Sequence, residues 1–281
     1  MLSILKRLLE AAPVYLAYGI FRLLPVEAAS ALGGWLLRLI GPFLPSHKVA
    51  AANLRLALPD LAAHHSEILR GMWDNLGRTM AEYAHLGTLG NNIEIVGAAH
   101  VRAVIASGKT AIFFSAHLAN WEIPARAVKA CGLELALVYR QPNNLFVDRL
   151  LRHARLPVTR TLAAKGGEGA KALIGLIRQH RSIGMLVDQK MNDGLAIPFF
   201  GHEAMTAPAM VKLAQKFDLP LYPVEIERVN GARFRVIIHP ALTIPDNLTT
   251  ALTEINALLE SWIRKHPEQW LWVHRRWPSV L

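Results

Sequence analysis

Apolar and polar positions change rhythm once along the chain, near residue 92. Before that point the spacing is helical. Residues 1–46 are apolar at most positions, interrupted by Lys6, Arg7, Glu10, Arg22, Glu27 and Arg38. Pro25, Pro42, Pro45 and Pro59 divide the first sixty residues into short helices. Over residues 66–87, Ile68, Leu69, Met72, Leu76, Met80, Tyr83 and Ala84 recur at helical spacing and predict one longer helix with a buried stripe. Gly87, Gly90 and Asn91-Asn92 end it. Beyond residue 92, Ile93-Glu94-Ile95-Val96 alternates like a strand, and further segments at 111–115, 135–139, 183–187, 221–226 and 234–238 predict more strands. Helical stretches at 120–131, 143–154, 168–180, 207–218 and 247–265 alternate with them. Alternation of this kind predicts an α/β fold with a mainly parallel central sheet flanked by helices. The expected organisation is an N-terminal apolar, interfacial helical segment over 1–60 and an α/β domain over 61–281, with no linker separating independently folding units.

The first segment raises the question of a membrane. Its charge-free runs, Ala11–Phe21 and Ala28–Leu37, are each shorter than the roughly 20 residues of a standard span. No small-residue cleavage site follows a clean apolar stretch, so no cleaved signal peptide is expected. Two arrangements stay open. Helices can lie in the interface, with Arg22 reaching phosphates and Tyr15, Tyr18 and Trp35 at headgroup level. Alternatively, one tilted span can run from about Val14 to Leu37, at a cost of about 2.5–3.5 kcal/mol for each of Arg22 and Glu27. The interfacial arrangement is the expectation.

Charge sharpens the picture. The chain carries 31 Lys and Arg against 21 Asp and Glu, and 52% of its residues are hydrophobic. That combination suits an anionic membrane surface or an anionic substrate. Nucleic acid is not an expected partner, because the basic residues are scattered and no zinc-finger, RRM or basic-zipper pattern occurs. A single cysteine, Cys131, excludes an intrachain disulfide and a cysteine-ligated zinc. It reads as buried packing at a helix end. No His-Glu-x-x-His is present, and no metal site is expected. Gly166-Gly167-Glu168-Gly169 lacks the Lys-Ser/Thr ending of a phosphate loop and reads as a turn before a helix.

The sharpest chemical feature is Ser115-Ala116-His117-Leu118-Ala119-Asn120-Trp121-Glu122, directly after the strand at 111–115. Ligands of doubly wound folds meet the carboxyl ends of strands. A histidine there can take the proton of an attacking hydroxyl, and a carboxylate can orient its ring and stabilise the imidazolium. His117 is the expected general base and Glu122 its expected orienting partner. The bland alternative is a capping histidine beside a solvated first-turn acid.

Further motifs stand in order along the chain. Asn53-Leu54 is followed by Leu58-Pro59, the His117–Glu122 block, Tyr139-Arg140-x-Pro142-x-Asn144 and Asp188-Gln189. Pro198-Phe199-Phe200-Gly201 with Thr206 comes next, then Pro223 and His266-Pro267-Glu268-Gln269-Trp270-Leu271-Trp272-x-His274-Arg275-Arg276-Trp277. Through these residues the sequence resembles the late acyltransferases of lipid A biosynthesis, the lauroyl/myristoyl transferase family. The resemblance implies a glycerolipid-acyltransferase-like fold and an acyl-carrier-protein thioester as donor. It implies a phosphorylated glucosamine lipid of the Kdo-lipid IVA type as the anionic glycolipid acceptor. It also implies work at the cytoplasmic face of the inner membrane, held peripherally or by a single N-terminal anchor. No cofactor beyond the thioester co-substrate is expected, and the chain is expected to be a monomer. The Pro-Glu-Gly block of glycerol-phosphate acyltransferases is missing. An acyltransferase acting on another membrane glycolipid, a thioester hydrolase and a non-catalytic lipid-binding protein on the same core are the alternatives.

The remaining candidates are substrate contacts. Arg140 follows a strand and can grip a phosphate in bidentate fashion, or form a surface ion pair. Asn144 is either a pocket contact or the cap of the following helix. Asp188, with Gln189 beside it, either orients a site arginine or stabilises its loop. Asn120 can steady the base or the oxyanion. Arg275 and Arg276 either bind phosphate at the bilayer interface or form a C-terminal staple. Phe199 and Phe200 belong either to the core or to the wall of an acyl pocket.

Overall fold

The helical rhythm of the first ninety residues becomes four helices: α1 (Leu2–Leu23), α2 (Val26–Ile40), α3 (Pro45–Ala57) and α4 (His65–Glu82). This computed structural model describes residues 2–164 and 167–277, so Gly166 of the expected glycine turn lies outside the described residues. Pro25 is extended, with φ −55° and ψ 146°, and separates α1 from α2. The single tilted span from Val14 to Leu37 is therefore corrected: that stretch is two helices. Among the described residues, no helix is long and apolar enough to cross a membrane.

Helix α2 lies against α4 through glycine. A Cβ added at Gly33 would run into the carbonyl oxygen of Gly77, and one at Gly77 into that of Gly33. Only hydrogen at these positions lets the two backbones touch. Ser30 Oγ then donates to Glu82 Oε1 at 2.7 Å, and Arg38 pairs with Asp74 at 3.3 Å.

The alternating half of the chain forms β1 (Ile93–Val96), α5 (Ala98–Ser107), β2 (Ile112–Ser115), α6 (Ile123–Ala130), β3 (Ala136–Tyr139), α7 (Leu145–Arg155), β4 (Leu162–Ala164) and α8 (Gly167–Arg178). It continues with β5 (Ile183–Leu186), β6 (Leu195–Phe199), β7 (His202–Thr206), α9 (Ala209–Phe217), β8 (Leu221–Asn230), β9 (Arg233–Ile238) and α10 (Leu248–Lys265). Seven strands make one sheet in the order β1-β9-β8-β2-β5-β3-β4. Strands β8, β2, β5, β3 and β4 run parallel, while β9 turns back antiparallel to β8 and carries β1 with it. The central strand β2 is buried along its whole length, as expected of a parallel strand covered on both faces.

This strand order positions the chemistry. Ser115 of β2 stands opposite Leu186 of β5, and Leu137 of β3 opposite Gly184 of β5. His117, Asp188 and Arg140 follow the carboxyl ends of these three adjacent parallel strands. They therefore belong to one edge of the sheet.

Three features depart from the sequence pattern, the first being the three-residue edge strand β4, too short to give a pattern of its own. The helix expected from residue 120 begins only at Ile123, because Ala119 takes a positive φ of 46° and residues 117–122 form a tight loop. A separate two-stranded hairpin, β6–β7, was not predicted; Pro198 and the exposed His202-Glu203 obscure its alternation. Its turn uses Phe200 and Gly201, both at positive φ (52° and 74°), which suits the right-handed twist of a hairpin. Phe199 and Phe200 pack among Trp270, Trp272 and Trp277, so both rings belong to a buried aromatic cluster.

The glycine contact between α2 and α4 predicts a selective stability effect. Gly77→Ala should destabilise by about 1–3 kcal/mol through overpacking. Gly175→Ala, in open space on α8, should be neutral or stabilising by up to about 1 kcal/mol. Thermal unfolding of both variants checks this; equal melting shifts would contradict the close contact.

Candidate active site

The loop after β2 is held from three sides. The carbonyl of Ala119 accepts from Asn75 Nδ2 at 3.1 Å and from Thr79 Oγ1 at 2.9 Å, both on α4. The C-terminal segment clips onto the loop: Ala119 N–H donates to the Gln269 carbonyl, and Leu271 N–H donates to that of His117. With its backbone pinned on both sides, His117 projects from a fixed base.

Asp188 then fixes the ring. It follows β5, is 2% exposed, and accepts from His117 Nδ1 at 2.8 Å and from the His117 backbone N–H at 2.9 Å. Trp270 Nε1–H donates to it at 2.7 Å. Burial alone would raise the Asp188 pKa, but the neighbouring imidazole and these hydrogen bonds outweigh it and draw the pKa down to about 2. An ionised carboxylate only accepts, so Nδ1 carries the ring hydrogen and Nε2 is left as the acceptor in the neutral imidazole. That is the tautomer a general base needs. The Nε2 atom meets Gln189 Nε2 at 3.1 Å, and the ring of Trp121 lies 5.4 Å away.

Glu122 does not orient His117, which corrects the expected pair. The positive φ at Ala119 winds the loop so that Glu122 enters the interior, where it is 4% exposed. Its carboxylate is held by Arg155 through Nε and Nη2, at 2.8–3.0 Å, and by Tyr83 Oη–H at 2.6 Å. Burial and the Glu122 charge push the Tyr83 pKa up. Trp121 Nε1–H donates to Tyr83 at 3.3 Å, so this buried group backs the ring that flanks His117. Sequence reasoning missed Arg155, and it placed Tyr83 in a buried helical stripe and Trp270 in the C-terminal motif without giving either a role at the site. It did single out Asp188 at a strand end, but as a partner of a site arginine or of its own loop; the structure corrects that role, since Asp188 holds His117.

The other candidates divide. Asn120 is fully buried; its amide donates to Glu82 Oε2 at 2.9 Å and its oxygen accepts from Glu122 N–H at 3.1 Å. It ties the loop to α4 instead of facing substrate. Asn144 caps α7, accepting from Phe146 and Val147 N–H, and its amide donates to the Arg7 carbonyl on α1 at 2.8 Å. Arg276 is 1% exposed, donates to the Met205 carbonyl and Thr206 Oγ1, and lies against the Phe199 ring. Burial lowers its pKa to about 10, so Arg276 is the C-terminal staple and not an interfacial phosphate ligand. Arg140 and Arg275 are exposed and have no ion-pair partner among the described residues.

Two outcomes follow from the buried carboxylates. Arg155→Ala should strand Glu122 and destabilise by about 3–5 kcal/mol, read from urea unfolding. The depressed Asp188 pKa contributes about 2 kcal/mol of stability above pH 4, lost as pH falls towards 2. The stability gap between wild type and Asp188→Asn should therefore narrow from pH 5 to pH 2.5; a constant gap would mean that the carboxylate charge is not what stabilises.

Comparison with known proteins identifies the family. The family model described as bacterial lipid A biosynthesis acyltransferase matches residues 6–279. A lipid A biosynthesis acyltransferase of Haemophilus influenzae is 25% identical over 189 residues, 64% of this chain and 57% of its own length. The lipid A biosynthesis palmitoleoyltransferase of Escherichia coli is 21% identical over 269 residues, covering 91% of this chain and 87% of its own. The lauroyltransferase of Escherichia coli is 23% identical over 271 residues, with the same coverage. A match running from residue 6 to residue 279 makes the assignment: the chain belongs to the bacterial lipid A biosynthesis acyltransferase family.

Proposed function

We propose that the protein transfers a fatty-acyl chain from an acyl-carrier-protein thioester to a hydroxyl of a lipid A precursor of the Kdo-lipid IVA type, with His117 as general base. One observation carries the mechanism. Asp188 holds His117 Nδ1 at 2.8 Å at the carboxyl edge of the sheet and leaves Nε2 as the proton acceptor. The acceptor oxygen attacks the thioester carbonyl as Nε2 takes its proton. A C–O bond forms, the C–S bond breaks, and the departing thiolate takes the proton back from the imidazolium. Asp188 stabilises the imidazolium between these steps. Exposed Arg140, at the same sheet edge, and exposed Arg275 are the groups suited to the acceptor's phosphates.

The work takes place at the cytoplasmic face of the inner membrane, with the protein peripherally docked. Support comes from the apolar surface of the first helices: Leu9 and Leu16 are each 67% exposed, and Leu23 and Phe43 each 87%. Exposed apolar surface of this extent, beside Lys6 and Arg7 in a chain of net charge +10, suits a bilayer interface with anionic headgroups.

The test is a transfer assay with acyl-carrier-protein thioesters of several chain lengths and the tetra-acylated, Kdo-bearing precursor. Wild type should yield the penta-acylated product. His117→Ala and Asp188→Asn should each lower the rate by about 10²–10⁴-fold with folding intact. Their combination should be far less than multiplicative, because the two residues act as one unit. Undiminished turnover in His117→Ala would remove the base. Binding of the precursor without thioester cleavage would point to a lipid-binding protein instead.

A further inference from the structure

We propose that Gln189 is a positioning residue that occupies the proton-accepting nitrogen of His117 until an acceptor hydroxyl displaces it, and so keeps the resting enzyme from activating water. This rests on the acyl-transfer mechanism proposed above and deepens it.

The geometry has two halves. Asp188 and Gln189 are consecutive residues on the loop after β5, and they engage the two nitrogens of one ring: Asp188 at Nδ1, 2.8 Å, and Gln189 at Nε2, 3.1 Å. With Nδ1 donating to a carboxylate, a neutral imidazole has only a lone pair at Nε2. The Gln189 carboxamide must therefore present its N–H₂ group there. Among the described residues, the charged groups seen beside the ring include Asp188 itself and, behind it, Arg276 from the C-terminal segment; Trp121 covers one flank without charge.

An amide N–H is a suitable guard. It satisfies the lone pair yet neither gives up its proton nor acts as a nucleophile at neutral pH. The bond it makes is between neutral groups, the weaker kind, so a well-placed hydroxyl can replace it. Gln189 is only half-buried, which leaves its side chain room to move. Water reaching Nε2 would otherwise be deprotonated in the same way as the acceptor. Its oxygen would bond to the thioester carbon, the C–S bond would break, and the activated acyl group would be lost as a free acid with release of the thiol. A guard that yields to a bound acceptor favours transfer over that loss.

The test uses the full chain in detergent with a dodecanoyl acyl-carrier-protein thioester. Thiol release and ester product are followed with and without the Kdo-bearing lipid precursor. In Gln189→Ala, acceptor-independent thiol release should rise relative to transfer by about fivefold, the factor one neutral hydrogen bond supplies. The excess should vanish in the Gln189→Ala, His117→Ala double variant. Gln189→Glu places a carboxylate at Nε2 and favours the imidazolium. The acid limb of its kcat/KM profile should move up by about one pH unit, and so should the His117 titration seen by 15N-histidine NMR. A merely structural Gln189 would move neither. An unchanged hydrolysis-to-transfer ratio in folded Gln189→Ala, with an unchanged His117 titration in Gln189→Glu, overturns the proposal even if wild type transfers normally. If wild type fails to acylate the precursor while Gln189→Glu still shifts the His117 titration, the acyl-transfer mechanism falls and the hold of Gln189 on Nε2 stands.

Discussion

A carboxylate with almost no access to water must find donors inside the protein, and Asp188 finds three. The His117 imidazole, the His117 backbone N–H and the Trp270 indole converge on its two oxygens. Meeting that requirement draws together the loop after β2, the end of β5 and the C-terminal segment, three stretches far apart along the chain. The same bonds decide which nitrogen of His117 carries hydrogen. Stability and chemistry at this edge of the sheet therefore come from one buried charge and are not separable contributions.

Two further buried acids repeat the principle beneath the loop. Glu82, fully buried on α4, is paired with Arg228 of β8 and also accepts from Ser30 and Asn120. Arg228 continues to Asn75, whose amide holds the carbonyl of Ala119. Glu122, paired with Arg155, supports Tyr83 and through it Trp121. Breaking either pair leaves an uncompensated charge, so these networks hold the loop rigidly under His117. Rigid support of this sort lets a short irregular loop keep a ring within hydrogen-bond tolerance of its partners.

The N-terminal helices answer a different constraint. Helix α2 is joined to α4 by the Gly33–Gly77 approach and by Ser30 on Glu82, which links it to the network under the loop. Helix α1 presents apolar side chains outward and touches the start of α7, after β3. Tyr15 Oη–H donates to the Phe146 carbonyl at 3.0 Å, and Asn144 donates to Arg7 on the helix. The exposed apolar surface is thus mechanically continuous with the loop that carries Arg140.

What the sequence determined by itself was local. Apolar runs or alternation marked every strand of four or more residues in the main sheet: β2 is buried on both faces, while β1 and β9 alternate between more and less covered positions. Proline marked the break at Pro25, and strand–loop–helix order put His117 at a carboxyl end. Only the tertiary structure decided which acid serves the histidine. Glu122 lies five residues away and turns inward, because Ala119 takes a positive φ and a buried arginine waits for the carboxylate. Asp188 lies 71 residues away in sequence but just past the end of the adjacent strand, because β5 pairs with β2. The same holds for Arg275 and Arg276, adjacent in sequence yet one exposed and the other enclosed against Phe199. Spacing along a chain reports which residues share a face over a few positions; sheet order and the compensation of buried charge involve residues from distant segments, and no local pattern encodes them.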